Sequence, residues 1–279
     1  MINKLIPIKI DSSMDDRNVE LLFFSPVDEL YVKDRPLIMI LPGGGYAYQS
    51  NREAESIAYQ FMALGYNTAI LHYTVAPSEN VYPAALLEIA YAIKYFKDNA
   101  ASLHICPDKI VVWGASAGGH LAALFATGYY RPEVTDYFKV SEDYLKPAGV
   151  MLAYPVITSG EFAHRGSFDN LLGAKKNDPE VLAYVSIENR VNDKAPAAFI
   201  WHTFADGTVP VENSLLLANA YRKAGVPFEL HIFPTGGHGL ALANEMTLSN
   251  WKKELDEGAQ QWVPLAGNWL KRLFGPIAE

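Results

Sequence analysis

The chain has 279 residues, half of them hydrophobic and 19% charged, with a formal net charge of −8. That balance describes a globular protein and excludes a disordered one; one domain of this size buries roughly three quarters of the surface of its unfolded chain. The acidic balance and the lack of any basic run exclude phosphate neutralisation, and with it nucleic acid as a partner.

Residues 1–7 lack the apolar core of a secretory leader, and no apolar run is long enough to cross a bilayer. A cytoplasmic protein without a membrane partner is therefore expected. Residues 6–10 and 19–24 alternate in polarity around the polar turn 11–15 and read as an antiparallel pair. After them the pattern changes to continuous apolar strands, the mark of a sheet buried on both faces, at 36–41, 68–73, 110–113, 149–153, 198–201 and 228–232. Helical segments at 53–64, 84–99, 117–127 and 212–224 separate them, the last ending at Gly225 as a C-cap.

Strands alternating with helices predict a mostly parallel sheet with helices on both faces, an α/β class. Residues 157–194 break the rhythm and are expected to form a small cap over the sheet's C-terminal edge. The tail 247–274, with Trp251, Leu255, Trp262, Trp269, Leu270 and Leu273, reads as one or two closing amphipathic helices. A single domain over 1–279 is expected. The only cysteine, Cys106, precedes Pro107 in an expected helix-to-strand loop. It cannot close an intramolecular disulfide, and no paired base marks it as a nucleophile.

Within this order, the strand ending at Trp113 runs into Gly114-Ala115-Ser116-Ala117-Gly118, and a helix-forming run follows. A Gly-x-Ser-x-Gly turn between a strand and a helix presents a serine hydroxyl as a nucleophile, beside the amides of a helix N-terminus. The flanking glycines remove side chains that would collide with neighbouring elements. Such a serine needs a base, itself oriented by an acid. Asp206 follows a buried strand in Asp206-Gly207-Thr208-Val209-Pro210, and His238 follows the last strand in Gly236-Gly237-His238-Gly239. Both fall at strand C-terminal ends, where open parallel sheets place ligands. The rival acid Asp193 precedes its strand. His72, His202 and His231 lie in or at the ends of strands, where a hydrogen-bonded core role is expected; His104 and His164 show no partner pattern, and His120 lines the site or supports the turn. No spacing suggests a metal, and no cofactor is expected. The Pro42-Gly43-Gly44-Gly45-Tyr46 loop supplies candidate oxyanion donors, the Gly44 and Gly45 amides, with Ala117 as the other donor.

The segments 41–46, 72–77, 114–122, 206–210 and 237–239 together resemble the α/β-hydrolase esterases, most of all the bacterial acetyl esterases related to acetyl-xylan and feruloyl esterases, and more distantly the hormone-sensitive-lipase-like group. The resemblance implies the α/β-hydrolase fold, a Ser-Asp-His triad and release of a short acyl group, often acetate, from a sugar hydroxyl. Two positions depart from it. Pro42 stands where the lipase-like group opens its glycine loop with histidine, and Thr74 stands where an arginine of a supporting ion pair is expected.

Tyr46 and Tyr48 after the glycine loop, and Tyr73 and Tyr154 at strand ends, are expected near the cleft mouth; Tyr46, Tyr73 and Tyr154 are the candidate substrate contacts. The expected activity is hydrolysis of a small-molecule ester. Arylformamidase or feruloyl-type activity, and a silent binding protein on the same scaffold, are the alternatives, and association with further copies is left open.

Overall fold

A computed structural model describes residues 2–11, 16–24, 27, 29–78, 81–249 and 255–277. Its eight strands are β1 (Ile2–Pro7), β2 (Asn18–Phe23), β3 (Arg35–Leu41), β4 (Asn67–His72), β5 (Ile105–Ala115), β6 (Gly149–Ala153), β7 (Ala197–Thr203) and β8 (Phe228–Phe233). They form one sheet in the order β1-β2-β4-β3-β5-β6-β7-β8. β1 and β2 pair antiparallel, β2 joins β4 antiparallel, and β3 to β8 run parallel. The helices are α1 (Glu55–Ala63), α2 (Val81–Asp98), α3 (Ala100–Leu103), α4 (Ser116–Ala126), α5 (Pro132–Phe138), α6 (Arg165–Leu172), α7 (Pro179–Val185), α8 (Glu212–Ala224) and α9 (Trp262–Phe274).

The central strands are apolar throughout because each faces two cores. In β3, Leu37, Met39 and Leu41 join the cluster that contains the apolar residues of α2 and α4, whereas Ile38 and Ile40 join the cluster beneath α1 and α9. The twofold alternation of a strand sends successive side chains to opposite faces. α4 is buried along its whole length, which explains a sequence with no polar stripe. On the other face Trp262 stacks on Trp113 and Trp201, with ring centroids 6.1 and 5.5 Å apart.

Four expectations shift. β1 lies earlier than 6–10, ending at Pro7, which supplies no amide to continue the edge ladder; most of the expected turn 11–15 lies outside the described residues. Cys106 falls within β5 rather than in a loop, and burial pushes its thiol pKa up. Segment 157–194 folds into α6, α7 and short 3₁₀ turns, and its Phe168, Leu171, Val185 and Ile187 are part of the main core rather than of a separate layer. In the tail, Trp262, Trp269 and Leu270 are buried in or beside α9, but Leu255 is exposed ahead of it and Trp251 lies outside the described residues. No helix among the described residues is long and apolar enough to cross a membrane.

Candidate active site

β5 ends at Ala115, and Ser116 opens α4 with φ +53°, in the left-handed region that a side chain rarely adopts. The turn leaves no room beside it. A Cβ on Gly114 would lie 2.2 Å from the Gly118 carbonyl oxygen, and one on Gly118 would lie 2.1 Å from that of Leu41. Parallel pairing of β5 with β6 and of β7 with β8 brings the loops after β5, β7 and β8 to one edge of the sheet.

At that edge, His238 Nε2 lies 2.7 Å from Ser116 Oγ, and His238 Nδ1 lies 2.6 Å from Asp206 Oδ2. The carboxylate can only accept, so Nδ1 carries the proton and Nε2 is free to accept from the serine hydroxyl. Asp206 is held by both oxygens. Oδ1 accepts the Thr208 and Val209 amides, each at 2.9 Å, while Oδ2 also faces His202 Nε2 at 3.3 Å. Burial alone would raise its carboxyl pKa, but the hydrogen bonds from His202 and His238 and from the Val209 amide hold it well below the usual carboxylate range. It is therefore an anion poised to stabilise an imidazolium.

The glycine loop completes the site. Gly44 has φ +129°, and a Cβ there would fall 2.1 Å from the Tyr48 carbonyl oxygen, so only glycine fits the turn. The Gly43 amide is taken by Glu53 Oε2 at 2.8 Å. Among the described residues, the Gly44 and Gly45 amides donate to no carbonyl or side chain. Ala117 is the second residue of α4, where a helix offers its amide no internal acceptor. A cleft of about 420 Å³ opens over these groups. Ser116, His238, Gly44 and Gly45 line it with Tyr48, His164, Asn170 and Thr208.

The three tyrosines proposed as substrate contacts are not in this cleft. Tyr46, Tyr73 and Tyr154 are all buried, and their hydroxyls are committed elsewhere. Tyr46 hydrogen-bonds His120 Nδ1 at 2.7 Å, Tyr73 donates to the Pro42 carbonyl at 2.5 Å, and Tyr154 donates to Glu53 Oε1 at 2.6 Å. Tyr46 turns inward because its own φ is +58°, which packs its ring edge-on against Tyr73 and His120. Burial raises the pKa of all three phenols, so they stay protonated donors. Tyr48, by contrast, is 63% exposed and stands at the cleft.

His202 takes the hydrogen-bonded core place expected of it, with Asp206 as an added partner, and further residues acquire roles that local patterns did not show. His202 is fully buried, with Nε2 facing both Asp206 and the Val209 carbonyl (2.9 Å), so that nitrogen carries its proton; Nδ1 accepts from Ser214 on α8 at 2.8 Å. The i,i+4 spacing of His202 and Asp206 at a strand end was the available signal. His164 reaches the cleft from the far side, beside Gly45, with Nδ1 bonded to Ser167 Oγ at 2.8 Å. Asn170 Nδ2 donates to the Gly45 carbonyl at 2.8 Å. The break in rhythm at 157–194 pointed to this segment, but no local pattern singled out His164 or Asn170. At Thr74, where an arginine was expected, the amide and hydroxyl both donate to the buried Glu88 carboxylate, at 2.7 and 2.6 Å.

Sheet order, nucleophile turn and loop placement define an α/β-hydrolase. Residues 28–221 match the model of the BD-FAE family, and the chain belongs to that family. It is 38% identical over 221 residues to endo-1,4-β-xylanase B of Butyrivibrio fibrisolvens, covering 78% of this chain and 34% of that protein. It is 28% identical over 267 residues to an acetylxylan esterase of Xylanibacter ruminicola, covering 94% of this chain and 50% of that protein. The chain thus spans a third to a half of the length of these curated relatives. Among solved structures, the acetyl ester-xyloside bifunctional hydrolase of Caldicellulosiruptor lactoaceticus superposes with a TM-score of 0.82 at 34% identity, covering 97% of this chain and 96% of that one.

Proposed function

We propose that the protein is a serine carboxylesterase that hydrolyses short-chain acyl esters, with acetyl groups on sugars or xylo-oligosaccharides as its substrates. The observation that carries this reading is the unbroken path from Ser116 Oγ through His238 to Asp206, opening on a cleft beside two unpaired amides. His238 takes the serine proton through Nε2 as Oγ attacks the ester carbonyl. Asp206 holds the imidazole and stabilises its charged form. The Gly44, Gly45 and Ala117 amides stabilise the oxyanion; losing one such donor commonly costs about 10²–10³ in turnover. The alcohol leaves with the proton from His238, and water then resolves the acyl-enzyme by the same steps reversed.

The sugar assignment draws on the polar cleft wall of His164, Asn170, Thr208 and Tyr48, and on the similarity to an acetylxylan esterase. A single half-buried cysteine is compatible with the cytoplasm, where we place the protein. The test is a hydrolysis panel of acetyl, butyryl, octanoyl and feruloyl esters, acetylated xylo-oligosaccharides and N-formylkynurenine. Acetyl esters should lead it, and Ser116→Ala should lower kcat at least about 10⁴-fold. Preference for the feruloyl ester or for the formamide would replace the substrate assignment. Substantial activity in Ser116→Ala would remove the nucleophile.

A further inference from the structure

The buried carboxylate of Glu53 has no place in the proton path above, yet it stands where three cleft loops meet. Glu53 ends the 3₁₀ turn Asn51–Glu53 ahead of α1 and is 4% exposed. Its Oε2 accepts the Gly43 amide at 2.8 Å, one residue before the unpaired Gly44 and Gly45 amides. Its Oε1 accepts the Tyr154 hydroxyl at 2.6 Å. That hydroxyl in turn accepts the Ala241 amide at 3.0 Å, three residues beyond His238, and the Tyr154 ring stands edge-on to the His238 imidazole at 5.1 Å. The neighbouring Arg52 adds a second tie, its Nε donating to the Thr247 carbonyl at 2.6 Å.

The chemistry of the junction calls for a carboxylate. Two donors arrive, one at each oxygen; a carboxamide could accept the Gly43 amide only by turning its NH₂ toward the Tyr154 hydroxyl, which would leave the phenol proton without that acceptor. Burying such a charge is costly unless it is hydrogen-bonded, so a site that keeps it has a use for its geometry. Oxyanion donors act only when they are aimed before the charge develops, and a shift of a fraction of an ångström between donors and base is felt in turnover.

We propose that Glu53 and Tyr154 are positioning residues that hold the Gly44–Gly45 amides in register with His238, so that donor loop and base move as one unit. The inference rests on the esterase reading of the site. Tyr154 is thereby a support of the histidine loop, and the substrate contact expected of it falls to other residues.

The test uses Tyr154→Phe, Glu53→Gln and the double variant, with p-nitrophenyl acetate kinetics, inhibition by a trifluoromethyl ketone that forms a tetrahedral oxyanion on serine, and thermal unfolding. Tyr154→Phe keeps the ring against His238 and removes only the hydroxyl. It should lower kcat about 10-fold with KM changed less than about 2-fold, and Glu53→Gln about 100-fold. Affinity for the ketone should fall in parallel with kcat. Because both residues belong to one tie, the double variant should resemble Glu53→Gln alone, not the product of about 10³. Multiplicative losses, unchanged kcat in Tyr154→Phe, or losses that only follow the unfolded fraction would overturn the proposal. If Glu53→Gln does not fold, Tyr154→Phe decides by its kcat and ketone affinity. Wild-type protein that neither hydrolyses the ester nor is labelled by a fluorophosphonate would overturn the esterase reading along with this one; active wild type with unaffected variants would overturn this one alone.

Discussion

The two sides of the cleft are built differently. On one side Ser116 and Asp206 are buried, and they and His238 are fixed by strand ends and by hydrogen bonds at nearly every polar atom. On the other side, Tyr48, His164 and Asn170 stand on the glycine loop and on α6 and its approach, partly open to water and with fewer bonds to the frame. On the proposed esterase reading, attack on the carbonyl would depend on main-chain geometry that tolerates little change, while the choice of alcohol would rest on side chains that can be exchanged. His120 is the seam between the two. It lies on the nucleophile helix, bonds Tyr46 below the glycine loop, and donates through Nε2 to the Val185 carbonyl of α7 at 2.8 Å.

The largest effect should come from the buried side. In Asp206→Asn the Thr208 and Val209 amides keep the remaining carbonyl oxygen at the Oδ1 position, so the new NH₂ group must face His238 Nδ1. The imidazole then carries its proton on Nε2 and cannot accept from Ser116. A kcat loss of about 10³–10⁴ for p-nitrophenyl acetate is expected, with the protein still folded by circular dichroism. A loss below about 10-fold would mean that this side is less tightly determined than its bonds suggest.

The seam should show itself in stability. Burial pushes the His120 pKa down from 6.5 to about 4. Between those values the unfolded chain binds a proton that the folded protein refuses, so stability rises with pH there. The contribution is complete above pH 6.5 and is lost as pH falls towards 4, by on the order of 3 kcal/mol. Unfolding midpoints in urea across pH 4–7 should fall on acidification, and His120→Gln should flatten that slope. An unchanged slope in the variant would assign the acid sensitivity to other groups.

The smallest effect belongs to the open wall. Burial and the neighbouring His238 lower the His164 pKa, so it meets a substrate as a neutral donor or acceptor. His164→Ala should raise KM for an acetylated xylo-oligosaccharide by about 10-fold, as expected for one hydrogen bond, and raise it less for p-nitrophenyl acetate, whose leaving group carries no such hydroxyls. Equal changes with both esters would place His164 on the acyl side of the cleft and blur the division drawn above.

Much of the buried side was legible beforehand because its signals are local. A glycine-framed serine between strand and helix, an acid and a histidine after later strands, and a glycine run after the first buried strand each depend on a few neighbouring residues. The tyrosines misled because position at a strand end says nothing about side-chain direction; a left-handed φ at Tyr46 and Tyr154 turns the backbone there, and the hydroxyls found partners in the core. Cys106 was misplaced for a related reason, since parallel pairing with β3 extends β5 through a proline that local propensity reads as a break.

The sequence by itself determined the α/β alternation, the two-faced core strands and which loops carry Ser116, Asp206 and His238, because periodicity and turn chemistry act over short spans. Only the tertiary structure decided that Glu53 joins Gly43 to Tyr154 and that His164 and Asn170 line the cleft that holds Ser116. Those contacts link residues that lie up to about a hundred positions apart, and sheet order and burial, which no short window carries, bring them together.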